Sequence, residues 1–437
     1  MTQFKAFTIC FLVFSGVGSA QVDLGDPKIG LVVDAERVKA NGIRSLEGKF
    51  VTIFTDLPRS KDINELAMVF DQAVPQWMTF FNVDQQQVAN FRATGFLIKD
   101  KSKFQRANLL PNGLPAFKNG YTYGTKTFWM FDQPSEFMRR QLMLHEGTHA
   151  FIFSHLGDQI PPWYNEGLAE LFASHQWVNQ KLTTCYTIRN RDESKFWGRP
   201  KAIRDLVAKN EMLSIADVMK LDNASFLRVD PYAWVWAFSS FLYHHPEYRV
   251  NFQKLSQAVA KKGQVEIEFK RYFGSDLSKM EEDWKAYLHE LDYGMESAFS
   301  KIVHDKPRMH KPRIPKISAS MSWQNSGLKV VAGENYLIRS TGRFTIRVTN
   351  STNEKPVAWP CEPNGVSVNY YLGSPLGKLM AIVKADDQTL NFQSAQPIGL
   401  SANMTPNESG TLYFRVNESP VGLKDNDGDI LISVQKR

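Results

Sequence analysis

His145-Glu146-Gly147-Thr148-His149 is the stretch on which the reading of this chain turns. Residues four apart in a helix share one face, so His145 and His149 can present two imidazoles to a single divalent metal ion. Glu146 then projects beside the ion, where a carboxylate could take a proton from metal-bound water and hand it to a leaving amine. The flanks read as a helix. Pro134-Ser135 opens it, Phe137, Met143, Leu144, Phe151 and Ile152 mark a buried body, and Gly157 closes it. A five-letter pattern with two free positions also arises by chance, and two histidines hydrogen-bonded inside a core helix would spell the same motif.

Downstream, Pro161-Pro162-Trp163-Tyr164-Asn165-Glu166-Gly167-Leu168-Ala169-Glu170 reads as the start of a second helix, with sixteen residues between His149 and Glu166. A catalytic zinc site takes three protein ligands and leaves one position open, and Glu166 is a candidate third ligand. Glu170, one turn further on the same face, could hold a ligating histidine by its other ring nitrogen. The alternative is a solvated pair of helix carboxylates.

HEGTHAF followed by WYNEGLAELF resembles the gluzincin metallopeptidases, a group with thermolysin-like and aminopeptidase branches. The resemblance implies that Glu146 is the general base, that His145, His149 and Glu166 bind zinc, and that Glu170 stands behind a ligand. Pro231-Tyr232-Ala233-Trp234-Val235-Trp236-Ala237 heads an apolar helix, and Tyr232 is similar to the tyrosine that donates to the tetrahedral oxyanion in the aminopeptidases. A core aromatic on an aromatic-rich helix is the other reading of Tyr232. The Gly-x-Ala-Met-Glu-Asn exopeptidase signature is absent, and Thr122 to Phe131 reads as an edge strand able to pair with an extended substrate. Endopeptidase action is therefore favoured over aminopeptidase action. His155, His175, His244 and His245 read as structural.

Around this centre, 437 residues with 43% apolar and 22% charged content exclude a disordered chain and call for two domains or more. The net charge of +7 is spread among interleaved opposite charges, which permits an anionic or glycan surface as partner and does not point to nucleic acid. Residues 1–20 read as a signal peptide: Lys5, an apolar run from Ala6 to Val17, then Gly18-Ser19-Ala20. The run is shorter than the ~20 residues that span a bilayer, although an uncleaved N-terminal anchor is the alternative. No later stretch is apolar and long enough to span, so the mature chain is expected to start near Gln21 and to be secreted, extracellular or periplasmic. Cys185 and Cys361 are expected to be separate thiols.

The expected fold is an α+β domain over 49–300, a small mixed sheet plus a helical part carrying the metal site. Residues 21–48 form an N-terminal extension before it, residues 301–318 a basic linker after it, and 319–437 an all-β sandwich. The order Trp323-Gln324-Asn325-Ser326-Gly327, Gly373-Ser374-Pro375-Leu376-Gly377, Gly410-Thr411-Leu412-Tyr413-Phe414 and Asp425-Asn426-Asp427-Gly428-Asp429 resembles the PA-I galactophilic lectins, a calcium-binding β-sandwich family. The resemblance implies a calcium ion held by Glu418, Asp425 and Asn426, with a carbonyl near Gly422. An acidic turn without an ion is the alternative. The family carries Asp where Glu418 stands and Asn where Asp425 stands. Its sugar-contacting His and Gln have no counterpart in Asn364 to Gly373.

Together these readings give a secreted zinc metallopeptidase acting on a peptide or protein, with Glu146 as general base and a lectin-like module for cell-surface glycans. Zn²⁺ is the expected cofactor, joined by Ca²⁺ in the C-terminal module. The competing reading is a secreted glycan-binding or adhesion protein whose gluzincin fold binds zinc without turnover, against which the intact Glu146 argues.

Overall fold

The computed structural model describes residues 31–111, 114–194, 198–262, 264–306, 309–311, 314–348, 357–386 and 388–437. The signal-peptide reading of residues 1–20 falls outside them. The chain divides into two compact units, one running to Tyr243 and resuming over Glu247–Asp276, the other comprising Leu277–Arg437 with His244–Pro246.

The first unit begins with α1 (Ala35–Ala40), β1 (Arg44–Glu47), β2 (Val51–Thr55), α2 (Lys61–Asn64), α3 (Leu66–Phe81), α4 (Gln85–Val88), β3 (Ala93–Ile98) and α5 (Lys101–Arg106). It continues through β4 (Gly120–Tyr123), β5 (Thr127–Phe131), α6 (Glu136–His155), α7 (Pro162–Ala173), β6 (His175–Val178), β7 (Lys181–Thr184) and α8 (Gly198–Ala208). α9 (Ile215–Met219), α10 (Asp230–His244), α11 (Arg249–Lys262) and α12 (Val265–Phe273) complete its helical part. The sheet has the order β1-β2-β3-β5-β4. β2, β3 and β5 are parallel, and the outer strands β1 and β4 run antiparallel to their neighbours.

Strand alternation gives this sheet two apolar faces, each of which needs a helical cover. Phe96, Ile98 and Trp129 pack with Val38 of α1 and Phe104 of α5 on one side. On the other, Phe128 stacks on Phe70 of α3 at 6.1 Å, and Trp77 of α3 meets Phe151 of α6 at 5.4 Å. α6 is therefore a core helix, pinned between the sheet and α3. Its N-cap is Ser135, whose hydroxyl accepts from Met138 N at 3.2 Å, and Gly157 at φ +92° follows its end.

The second unit opens with α13 (Leu277–Glu290), α14 (Ser297–Ser300), β8 (Met309–Lys311), β9 (Ile314–Ser318), β10 (Gln324–Val330), β11 (Tyr336–Thr341) and β12 (Phe344–Val348). It continues with β13 (Val357–Cys361), β14 (Asn364–Tyr371), β15 (Ser374–Ala385), β16 (Gln396–Pro397), β17 (Ser401–Met404), β18 (Gly410–Val416) and β19 (Asp427–Lys436). One sheet has the order β10-β18-β15-β14 with β16 on β15; the other runs β13-β12-β19-β11-β17 with β9 on β19 and β8 on β9. Ile338, Ile346, Leu379, Leu412, Phe414, Ile430 and Ile432 fill a common core.

Three boundaries differ from those read in the sequence. The N-terminal extension is part of the first unit, because β1 pairs with β2 and Ile43 and Leu46 are buried. The span read as a basic linker contains β9, which pairs with β19 through Lys316, Ile317 and Ser318 and buries Ile317 fully. Proline and lysine content outweighed the short alternation around Ile317. α13 and α14 belong with the β-rich unit: Ala286 packs on Ile382 and Tyr413, Lys384 Nζ reaches Glu282 at 2.5 Å, and Arg415 pairs with Glu290. The segment expected as one strand over Thr122 to Phe131 is a hairpin, turning at Gly124 with φ +59° and making β4 the terminal strand. Cys185 and Cys361 are both free and buried.

Candidate metal centre

Four elements of the first unit meet at one small cavity. α6 supplies His145, Glu146 and His149, α7 supplies Asn165 and Glu166, β4 supplies Gly120 to Thr122, and α10 supplies Tyr232. The cavity is about 60 Å³, enough for more than one water.

Three donor atoms converge in it. His145 Nε2 and His149 Nε2 are 3.1 Å apart, and Glu166 Oε2 lies 3.4 Å from the first and 3.5 Å from the second. Tetrahedral ligands at the usual zinc bond lengths of ~2.0–2.1 Å stand ~3.3 Å from one another. Glu166 Oε2 is buried and no hydrogen bond satisfies it, a costly state for a carboxylate oxygen unless a cation sits on it. Among the described residues this is the one group of three histidine, cysteine or acidic side chains close enough to share an ion. The residues fit a divalent metal of the zinc type.

Both histidines are held from behind. Asn165 Oδ1 stands 3.1 Å from His149 Nδ1, placed to accept from it, and the other ring nitrogen, Nε2, faces His145 Nε2 in the cavity. Glu170 Oε1 stands 3.3 Å from His145 Nδ1. Arg199 in turn grips both oxygens of Glu170, Nε to Oε2 at 2.8 Å and Nη2 to Oε1 at 2.7 Å. Glu146 points to the other side of the cavity. Thr122 Oγ1 donates to its Oε2 at 2.6 Å, and Gly120 lies so close that an added Cβ would come within 2.3 Å of its Oε1.

The protonation pattern follows from burial and from the crowd of charges. Burial disfavours a charged His145, but the carboxylates of Glu166 and Glu170 more than offset it and hold the imidazole at about 10. Metal binding would displace that proton. Burial tends to raise Glu170, and Arg199 with His145 brings it down to about 2. Glu146 ends above the ordinary carboxylate value, because burial exceeds the pull of the two histidines and of Thr122. Tyr232 is fully buried and pushed far up, by burial first and then by Glu166, Glu170 and Glu146, so it stays a neutral phenol able to donate.

The structure thus brings together His145, Glu146, His149, Glu166, Glu170 and Tyr232. Sequence reasoning assigned no role to Asn165, Thr122, Gly120 or Arg199. Asn165 could have been suspected from its place beside Glu166; the other three reach the site only through tertiary structure. His155 stacks on Phe151 at 4.3 Å and His175 on Phe137 at 4.6 Å, both away from the metal centre.

In the second unit Glu418, Asp425 and Asn426 lie in one turn region. Glu418 Oε2 accepts from Asn426 Nδ2 at 2.6 Å, and the Glu418 carbonyl accepts from Arg415 Nη2 at 2.7 Å. Burial, with Asp425 adding to it, pushes Glu418 up to about 7. Asn426 Oδ1 is buried without a hydrogen-bond donor.

No family model matches the chain, and no curated protein matches it. Solved structures give partial likenesses, among them the following. The N-terminal domain of EclA, a PllA-like lectin, is 20% identical over 28% of this chain and 95% of that one, with a TM-score of 0.21. An aminopeptidase N family protein from Idiomarina loihiensis is 9% identical over 90% of this chain and 68% of that one, with a TM-score of 0.36.

Proposed function

We propose that this chain is a secreted zinc metallopeptidase of the gluzincin type that cleaves within peptide chains. The observation that carries the reading is the convergence of His145 Nε2, His149 Nε2 and the unsatisfied Glu166 Oε2 at tetrahedral spacing, with Glu146 held next to them and off the ligand set. Zinc, when bound by these three residues, supplies Lewis acidity to the reacting carbonyl and water.

The chain's own residues divide the remaining work. Glu146, a carboxylate with raised proton affinity, takes the proton of the attacking water and passes it to the leaving amine. Thr122 and Gly120 fix where that carboxylate sits. Tyr232, a neutral phenol lining the same cavity, donates to the oxygen that becomes negative. Terminal strand β4 offers backbone groups to an extended substrate, which favours an internal peptide segment over a chain end.

The second unit, on this reading, holds the enzyme at a glycan or cell surface, and Glu418, Asp425 and Asn426 hold a calcium ion there. The orphaned Asn426 Oδ1 and the buried Glu418 support a cation at that turn. The deciding experiment is cleavage of a diverse peptide mixture by the zinc-loaded mature protein beside Glu146→Gln. Internal cuts by the parent and at least a thousandfold loss in the variant, with zinc retained, are expected. Zinc retention with no cutting by either protein would sink the peptidase reading.

A further inference from the structure

We propose that Arg199 is a positioning residue for the whole metal centre, one guanidinium that fixes both Glu170 behind His145 and the ring of Tyr232. The proposal rests on the zinc reading above and goes beyond it, since it concerns a residue outside the motifs.

Arg199 stands in the first turn of α8, far from the site in sequence and nearly buried, its side chain 12% exposed. Its Nε and Nη2 bind the two oxygens of Glu170 in the planar fork that arginine forms with a carboxylate. The same Glu170 Oε1 reaches His145 Nδ1 at 3.3 Å, so the orientation of the fork sets the orientation of a metal ligand. The guanidinium carbon also lies 5.6 Å from the centre of the Tyr232 ring, over its face, and that ring is 6.2 Å from the His145 ring. One side chain therefore touches the support of a metal ligand and the body of the oxyanion donor.

Charge balance supports the same assignment. The region buries three carboxylates, Glu146, Glu166 and Glu170, and a bound dication would carry two positive charges against them. Arg199 adds a positive charge at Glu170, a carboxylate outside the group of His145, His149 and Glu166 that would hold the ion. The local backbone is built to deliver it. Gly198 takes φ +58°, where a Cβ would stand 2.7 Å from Ser194 Oγ, and Pro200 follows within the first turn of the helix. Lysine in this place would keep the charge but lose the two-point grip and the flat stacking surface.

The test compares the full-length mature protein with Arg199→Lys, Arg199→Met, Glu170→Gln and the double variant Glu170→Gln/Arg199→Met. Zinc affinity by chelator competition and the visible spectrum of the cobalt-substituted protein are read first, then kcat and KM. Arg199→Met is expected to weaken zinc 10- to 100-fold, to change the cobalt spectrum and to lower kcat more than it raises KM. Arg199→Lys should recover part of the affinity without restoring the parent spectrum. In the Glu170→Gln background, loss of Arg199 should cost less than threefold further in affinity, because its route to the metal is already cut.

A folded Arg199→Met protein that binds zinc within twofold of the parent and keeps its cobalt spectrum would overturn the proposal. An equal loss in both backgrounds would do the same, since it would mark a general effect on the fold. If Arg199→Met does not fold, Arg199→Lys decides: parent affinity and parent spectrum together overturn it. A parent that binds zinc but cuts no peptide would remove the peptidase reading alone, and the zinc and cobalt measurements would still judge Arg199.

Discussion

At the scale of single residues, the centre depends on groups that do not bind the metal. Thr122 Oγ1 gives one hydrogen bond to Glu146 Oε2 at 2.6 Å and stands 3.0 Å from the Glu146 carbonyl. A hydrogen bond to a charged group is worth about 1.5–3 kcal/mol, or roughly ten- to a hundredfold in rate when it fixes a catalytic carboxylate. Thr122→Val keeps the shape and removes the donor. It is expected to lower kcat by that factor, with KM and zinc affinity within twofold of the parent and with Thr122→Ser close to the parent in all three. Unchanged kcat in Thr122→Val would show that Glu146 is held by other means. The three metal-facing side chains were open to sequence reasoning because helix geometry fixes what lies four residues apart, and Glu166 followed from the motif around it. Thr122 and Arg199 carry no such mark. Their partners lie 24 and 29 residues away on other elements, and only the folded chain brings them together.

At the scale of elements, the glycines inside the two motifs are packing requirements. An added Cβ at Gly147 would stand 2.5 Å from Phe70 Cε2 and 3.2 Å from Trp77 Cη2, two fully buried rings of α3. Gly167 likewise faces Ser239 Oγ of α10 at 2.4 Å. For Gly147→Ala two effects compete. Alanine gains up to about 1 kcal/mol in helix propensity, while overpacking a rigid core costs about 1–3 kcal/mol and displaces α6 between its two ligands. The clash should win, because both rings are fully buried. Urea unfolding is expected to show a net loss of about 1–2 kcal/mol together with weakened zinc binding; a more stable variant would contradict this account of the α3–α6 contact. The same tight packing explains which elements could be read in advance. α6, α7 and α10 are long and bounded by proline, serine or glycine, so they stand out in the sequence. β9 buries only Pro315 and Ile317, on either side of the exposed Lys316, too short a pattern to outweigh a linker composition. The β4–β5 turn was hidden because strand residues continue on both sides of Gly124.

At the scale of the whole molecule, the chain divides into two compact units, and the group of side chains able to share an ion lies in the first. Helical periodicity that dominates through Tyr293 sets α13 and α14 at the end of the first domain in the sequence. Their buried polar groups place them instead: Glu282 accepts from Lys384 Nζ and Leu390 N, and Asp283 from His304 Nε2 at 2.7 Å, all with partners in the β-rich unit. Separate cores give a thermodynamic expectation. A ligand that binds only the folded form stabilises by about 2.7 kcal/mol at a hundredfold excess over its Kd, and it stabilises only the unit that holds it. Zinc should therefore raise the thermal transition of the unit ending at Asp276 by several degrees, and chelation should reverse the shift. The transition of the unit from Leu277 onward should stay where it is. Buried tryptophans permit the two to be followed apart, Trp77, Trp129 and Trp163 in the first unit and Trp284 and Trp323 in the second. Replacing one of each set with phenylalanine assigns the transitions. Glu166→Gln should abolish the zinc shift without moving the second transition, because it removes a ligand from the first unit alone. A single transition that moves as a whole with zinc would show that the two cores unfold together, and the division of labour between a metal unit and an attachment unit would lose its physical basis.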